Sequence, residues 1–254
     1  MALNGLRVVA VVEARMTSTR LPGKVLMPAG GRPLLQVLVE RLRKVTRIDE
    51  IVIATTTNAT DEPIVKLAGE IGVSVFRGSE DDVLQRVSGC LQAHRAQICV
   101  EITGDCPLVD PAIVNEALDA FAAAIPERVY LSNSDPERAV PAGLDVQIFL
   151  ADALYQLDRE SNDPADREHV SYGFYRPESG GRWNPLFIRH PAAAGSEDLL
   201  LTLDYVEDYE LIKTLHEELS AQAPDYGVAE MARWVREHPE MHERCAQRRT
   251  DAAA

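Results

Sequence analysis

The stretch Glu13-Ala14-Arg15-Met16-Thr17-Ser18-Thr19-Arg20-Leu21-Pro22-Gly23-Lys24, with Arg32 shortly after it, gathers four cations around a single acid, Glu13. The chain as a whole carries a formal net charge of −14, so an anion must be held locally rather than by a general field. Arg15, Arg20 and Lys24, the hydroxyls of Ser18 and Thr19 and the backbone N–H groups of the loop suit a polyphosphate. A hydrogen bond to a charged partner contributes roughly 1.5–3 kcal/mol, so several must converge on one ligand. Charge alone leaves a second reading open, a solvated basic loop. Neither G-x-G-x-x-G nor G-x-x-x-x-G-K-[ST] occurs here, which indicates neither a dinucleotide fingerprint nor a P-loop.

Two carboxylates stand at comparable places further along. In Thr103-Gly104-Asp105-Cys106-Pro107-Leu108-Val109-Asp110, Gly104 permits close backbone approach and Pro107 fixes the turn. Asp105 then suits Mg²⁺, which takes one or two carboxylates beside waters and substrate phosphate oxygens. Capping of the turn or of the next helix is the alternative for Asp105, but Asp110, immediately before Pro111, is the better cap. In Leu201-Thr202-Leu203-Asp204-Tyr205-Val206-Glu207-Asp208, Asp204 is either a second metal ligand or the N-cap of the following helix. Glu207 and Asp208 fall in that helix's first turn, where negative charge is favoured.

Such groups need strands that end beneath them. Apolar runs at 7–13, 50–56, 73–76 and 98–103 alternate with helical-period segments at 34–45, 62–71, 83–94 and 112–124. This is the pattern of βαβ units and a mostly parallel, doubly wound α/β sheet, whose ligands sit at the carboxyl ends of the strands. Pro33 opens the first helix, Asp61 is expected to cap the second, and Ser79 or Asp81 the third. Further strands are expected at 129–133, 144–149 and 199–203, and further helices at 151–159, 165–175, 206–220 and 228–237. Residues 134–191 are rich in proline and glycine, including Pro136, Pro141, Gly143, Pro164, Pro177, Gly180, Gly181 and Pro185, and read as an inserted arm. One domain is expected over residues 1–240, with 241–254 as a flexible tail.

A domain of 254 residues buries about 70% of its extended-chain surface and needs no staples. Its apolar runs are too short to span a bilayer, and the N-terminus lacks a basic region followed by an apolar one, so a cytoplasmic location is expected. Cys90, Cys99, Cys106 and Cys245 show no C-x-x-C spacing and read as reduced and structural. The acidic balance argues against nucleic-acid binding. His238 and His242 are four apart, but the run is H-P-E-M-H rather than H-E-x-x-H.

The segment from Ala14 to Lys24 resembles the A-R-x-x-S-T-R-L-P-G-K loop of the sugar-acid cytidylyltransferases, those acting on 3-deoxy-manno-octulosonate and, more distantly, on acylneuraminates. The resemblance is greatest to the spore-coat polysaccharide synthesis protein F branch. It continues in order through Asp49–Thr55, Phe76-Arg77-Gly78-Ser79-Glu80-Asp81-Asp82-Val83-Leu84, Ile102–Leu108, Pro141-Ala142-Gly143-Leu144-Asp145-Val146 and Arg167-Glu168-His169-Val170, to about Pro239. It implies a Rossmann-like three-layer nucleotidyltransferase fold with a mostly parallel central sheet and an inserted arm. The implied activity is Mg²⁺-dependent transfer of CMP from CTP to a small anionic acceptor, a sugar acid, phosphonate or sugar phosphate, with release of pyrophosphate in surface polysaccharide or glycoconjugate synthesis. By the same resemblance Arg15, Arg20 and Lys24 contact the triphosphate, with Ala14, Ser18, Thr19 and Gly104 beside it. Asp105 and Asp204 are the metal aspartates, and Arg15, Lys24 and Asp105 the catalytic set. Relatives pair as homodimers through the region between the two aspartates.

Asp145, Arg167 and His169 are expected at the acceptor, against the alternatives of a solvent-facing strand position and ordinary helix-surface polarity. Arg77 and Asp82 are expected around the nucleotide base, or else form a helix-start charge pair. A hydroxyl acceptor would need a general base, and no residue stands out for that task. The rival readings are a glycosyltransferase of similar fold, which would show a D-x-D motif where this chain has Gly104-Asp105-Cys106, and a catalytically silent nucleotide-binding module.

Overall fold

The computed structural model describes Leu3, residues 5–134 and residues 138–253. Residues 135–137, Pro136 among them, and Ala254 of the expected tail lie outside the described residues. The strands are β1 (Val8–Glu13), β2 (Pro28–Ala29), β3 (Arg32–Pro33), β4 (Glu50–Thr56), β5 (Ser74–Gly78), β6 (Ile98–Thr103), β7 (Tyr130–Ser132), β8 (Gln147–Leu150) and β9 (Leu186–Phe187). Helices α1 (Leu34–Leu42), α2 (Glu62–Ile71), α3 (Val83–Ala93) and α4 (Pro111–Ala124) connect the first half. Helices α5 (Ala151–Glu160), α6 (Pro164–His169), α7 (Tyr172–Tyr175), α8 (Val206–Gln222), α9 (Val228–Glu237) and α10 (Pro239–Ala253) follow.

Seven strands form one sheet in the order β5-β4-β1-β6-β8-β7-β9, and β2 and β3 make a separate small hairpin. β8 runs antiparallel to both its neighbours, while the other pairings in the main sheet are parallel. The sheet is therefore mostly parallel, as the alternating pattern implies. Strand side chains alternate between faces: Val8, Ala10 and Val12 join the core beneath α1, α2, α4, α8 and α9, whereas Val9 and Val11 join the core beneath α3, α5 and α7. Those two cores on either side of one sheet make the three layers.

The topology decides where the site lies. From β1 the chain moves outward to β4 and β5, then returns to place β6 on the other flank of β1. Glu13 and Thr103, the last residues of two parallel strands, sit side by side in register. A crevice opens at such a reversal, and the basic loop and the Asp105 turn both leave from it.

Several expectations change. Residues 134–191 are not an arm throughout, because β8 lies inside the main sheet and α5 and α6 pack on α3. The helix expected at 165–175 breaks at Val170, where φ is 45°. Residues 199–203 form no sheet strand and touch Ala142 through one bridge at Leu200. Asp61 does not cap α2; its carboxylate accepts from Met16 N at 2.8 Å, Thr55 Oγ1 at 3.0 Å and Thr56 Oγ1 at 2.6 Å. The cap of α3 is Asp82, which accepts from Gln85 N. Residues 241–253, expected as a flexible tail, are the body of α10. Its Cys245 is fully buried, and Arg244 and Arg249 pair with Glu210 and Asp208 of α8.

Candidate active site

The basic loop is built by side chains from elsewhere in the chain. Gly23, at φ 72°, turns the chain so that its N–H meets Met16 O at 2.9 Å. Asp61 anchors the Met16 N–H, and Glu80 takes hydrogen bonds from Thr17 Oγ1 and Asn58 Nδ2 and lies 3.5 Å from Arg15. The hydroxyl of Thr17, then Asn58 and the charge of Arg15, outweigh desolvation and hold the Glu80 carboxyl below its ordinary range. For Asp61 the cost of burial is the largest influence, and the bonds from Thr56, Met16 N–H and Thr55 overcome it, so it too is held low. Both anions are therefore ionised, and both were missed by motif reading.

Opposite, the Asp105 turn is pressed against the end of β1. Gly104 N donates to Glu13 O at 2.8 Å, and a Cβ at Gly104 would lie 2.7 Å from that oxygen, so no larger residue fits. Thr103 Oγ1 donates to Asp105 Oδ1 at 2.5 Å. The segment carrying Asp204 is tied to the same turn by Leu203 N to Asp105 O at 2.9 Å. It also packs on Gly143, at φ +100°, where a Cβ would sit 2.4 Å from the Leu201 carbonyl.

Lys24 joins these parts. Its ammonium, on a residue only 8% exposed, donates to Leu203 O at 2.5 Å, Asp204 Oδ1 at 3.0 Å and Asp105 Oδ2 at 3.3 Å. Arg20 reaches Asp204 Oδ1 at 2.8 Å and lies over the Tyr205 ring, 5.6 Å from its centroid. Two carboxylates around a single cation, open to a polar cleft, fit what a hard divalent ion needs. Among the described residues no group of three or more His, Cys, Asp or Glu side chains gathers as a metal centre, so water and substrate oxygens would complete the coordination.

The cleft has a volume of about 230 Å³ and is lined by Ala14, Arg15, Ser18, Thr19, Arg20, Lys24, Gly104, Asp105 and His169, nine of the expected residues, with Asp204 reached through Lys24 and Arg20. A second hollow of about 640 Å³ shares Arg15, Val83 and Glu168 with it. Asp82 and Arg167 line this second hollow and pair with each other at 2.5 Å, Arg167 also holding Asp158 at 2.8 Å. Their pairing joins α3, α5 and α6 along this second hollow. Arg77 stands outside both hollows; it pairs with Glu62 and donates to Thr56 O and Asn58 O, bracing the turn after β4. Asp145 is likewise outside, held by Arg138 at 2.5 Å and accepting from Gly143 N at 3.0 Å, and so closes its own turn. The histidines at 238 and 242 serve structure: His238 stacks on Trp234, and His242 Nε2 accepts from Leu200 N.

The cleft floor holds groups that motif reading missed. Glu13, Arg86, Thr103 and Glu168 line it, and Glu101 lies behind Glu13 and shares a side-chain hydrogen bond with it. Burial, more than any other influence, raises both carboxyls, Glu101 well above its ordinary range with Glu13's charge adding to the effect. Both carboxyls are thus harder to ionise than exposed glutamates. The available signal was an acid closing one apolar strand run, Val8–Glu13, and another inside Ile98–Thr103.

A basic loop and two aspartates, one just past the end of β6 and one just before α8, brought together at the switch point of a three-layer α/β fold, define a nucleotidyltransferase. A family profile described as cytidylyltransferase matches residues 9–230, and the chain belongs to that family. It is 31% identical over 235 residues to the spore coat polysaccharide biosynthesis protein SpsF of Bacillus subtilis, covering 91% of this chain and 94% of that protein. A cytidylyltransferase structure from Leptospira borgpetersenii serovar Hardjo-bovis superposes with a TM-score of 0.85 at 29% identity, over 93% of this chain and 97% of the other. A CMP:2-keto-3-deoxy-manno-octonic acid synthetase complexed with CTP shares the fold, with a TM-score of 0.63 at 17% identity over 84% and 99% of the two chains. Among the described residues, no helix is long and apolar enough to cross a membrane.

Proposed function

We propose that this cytidylyltransferase uses Mg²⁺ and CTP to transfer CMP to a small anionic acceptor, a sugar acid, phosphonate or sugar phosphate, releasing pyrophosphate in surface polysaccharide or glycoconjugate synthesis. The observation that carries the reading is the contact of Lys24 with both Asp105 and Asp204 at the mouth of the cleft. Arg15, Arg20 and Lys24 bind the triphosphate and orient its α-phosphorus. An acceptor oxygen attacks in line, a new O–P bond forms, and the bond to pyrophosphate breaks. Negative charge grows on the bridging and leaving oxygens, and fixed cations stabilise it without reorganisation. Asp105 and Asp204 would hold Mg²⁺, which when bound neutralises phosphate charge. His169, exposed at the cleft rim, faces the acceptor side. The relative named for spore coat polysaccharide and the CTP-bound neighbour support the pathway and the base. The reading includes a homodimer, as the family resemblance implies.

The test is pyrophosphate release from each of the four NTPs with Mg²⁺ against a panel of sugar acids, phosphonates and sugar phosphates. Release with CTP and one acceptor, abolished by EDTA, supports the reading. Failure with every pair, together with tight binding of an intact nucleotide sugar, overturns it.

A further inference from the structure

We propose that the C-terminal helix α10 acts as a clamp on the site, with Arg249 working through Asp208 to position Asp204; this rests on the reading of Asp204 as a metal-holding carboxylate. The segment before Asp204 belongs to no sheet ladder among the described residues; a bridge to Ala142 and the bond from Leu203 N to Asp105 O hold it on the cleft side, and its other side rests on α8 and α10. Asp208 Oδ2 accepts from the backbone N–H groups of both Asp204 and Tyr205 at 2.9 Å. Tyr205 is the N-cap of α8 and Asp204 the residue before it, so neither N–H has an acceptor within the helix. The Asp208 side chain is wholly buried, and Arg249 grips it with both arms, Nη1 to Oδ1 at 2.5 Å and Nη2 to Oδ2 at 3.1 Å. The same Nη2 donates to Thr202 O at 3.2 Å.

One guanidinium from the last turns of the chain thus holds the backbone on both sides of Leu203-Asp204. The clamp also reaches the phosphate-facing loop. Arg248 lies over the Tyr205 ring with its guanidinium carbon 4.5 Å from the centroid, and Arg20 lies against the same ring at 5.6 Å while bonded to Asp204. Arg249 is a positioning residue, since it touches neither the cleft nor the expected substrates. Removing a group that orients a metal ligand commonly lowers metal affinity or activity 10–100-fold.

The experiment compares the full chain with Arg249→Gln and Arg249→Lys. Three quantities are read: thermal melting, amide hydrogen exchange at Asp204 and Tyr205 without ligand, and Mn²⁺ affinity by electron paramagnetic resonance in the presence of CTP. Arg249→Gln is expected to speed exchange at both amides and to weaken Mn²⁺ about tenfold, with the acceptor KM unchanged and kcat reduced. Arg249→Lys, which keeps the charge but loses the bidentate grip, is expected to fall between and serves as the test if the glutamine variant does not fold. A lowered melting point with unchanged amide exchange, or faster exchange with unchanged Mn²⁺ affinity, overturns the clamp. If the unsubstituted protein binds no Mn²⁺ while Arg249→Gln still frees the two amides, the clamp on Asp204 stands and the metal reading fails.

Discussion

Replacing Lys24 by methionine keeps most of the side-chain volume and removes the ammonium that Asp105, Asp204 and Leu203 O share. The side chains of Asp105 and Asp204 are 25% and 13% exposed, so water screens their mutual repulsion only in part. Removing one partner of a buried ion pair costs about 3–5 kcal/mol. Here Arg20 stays at 2.8 Å from Asp204, and the residual solvent lowers the expected loss to about 2–3 kcal/mol. At about 2–4 °C per kcal/mol for a chain of this size, the melting point should fall by about 4–12 °C. A divalent cation should recover much of that loss, because the two carboxylates are left without the cation that bridged them. The same Mg²⁺ should stabilise the unsubstituted protein far less in the absence of nucleotide, where Lys24 occupies that place. Lys24→Met combined with Asp204→Asn should be more stable than Lys24→Met alone, since the two sites couple. The assay is urea denaturation with and without saturating Mg²⁺, and kcat/KM for CTP should fall about 10²–10³-fold in parallel. A Lys24→Met protein as stable as the parent, or one indifferent to Mg²⁺, would refute the assignment of these three residues to one charge cluster.

Asp105→Asn should abolish Mg²⁺-dependent pyrophosphate release with little loss of fold, and a variant retaining full activity would remove Asp105 from the metal role. His216, buried and bonded to the Tyr226 hydroxyl at 2.8 Å, is pushed down to about 4 by burial and then by Arg32 and Arg41. Its neutral form stabilises the fold above the ordinary histidine value, and that contribution is lost as pH falls from 6.5 toward about 4. The loss amounts to about 3 kcal/mol, which urea midpoints across that range should show and His216→Gln should diminish. Glu101 has the opposite sign: its carboxyl is raised, so stability is fully present below 4.5 and declines as pH rises through the folded value. Glu101→Gln should therefore gain on the parent protein at pH 8 relative to pH 5, by the same denaturation assay.

Much of the site was legible because its parts are contiguous. The run Ala14–Lys24 and the turn Gly104–Pro107 carry their chemistry within a few residues, and the apolar periodicity around them places both at strand ends. The family resemblance marked Asp204, which its own neighbourhood left divided between capping and metal binding. Local reading left open which partner each charge takes. Arg77, Asp82, Asp145 and Arg167 are polar residues in motif positions, yet Glu62, Arg167, Arg138 and Asp158 neutralise them away from the main cleft.

Sequence alone determined the alternation of strands and helices, the placement of the basic loop and of Asp105, and the absence of dinucleotide and P-loop motifs. Tertiary structure decided that Lys24 bridges the two aspartates and that Glu101 is buried behind Glu13 with its carboxyl raised. It also decided that a polar C-terminal segment becomes a helix whose Arg249 grips Asp208. Patterns of burial repeat every two or three to four residues and so can be read along the chain. An ion pair depends on distance in space and on desolvation, and residues 24, 105, 204 and 249 come together only when the sheet reverses its order and the last helix packs back on it.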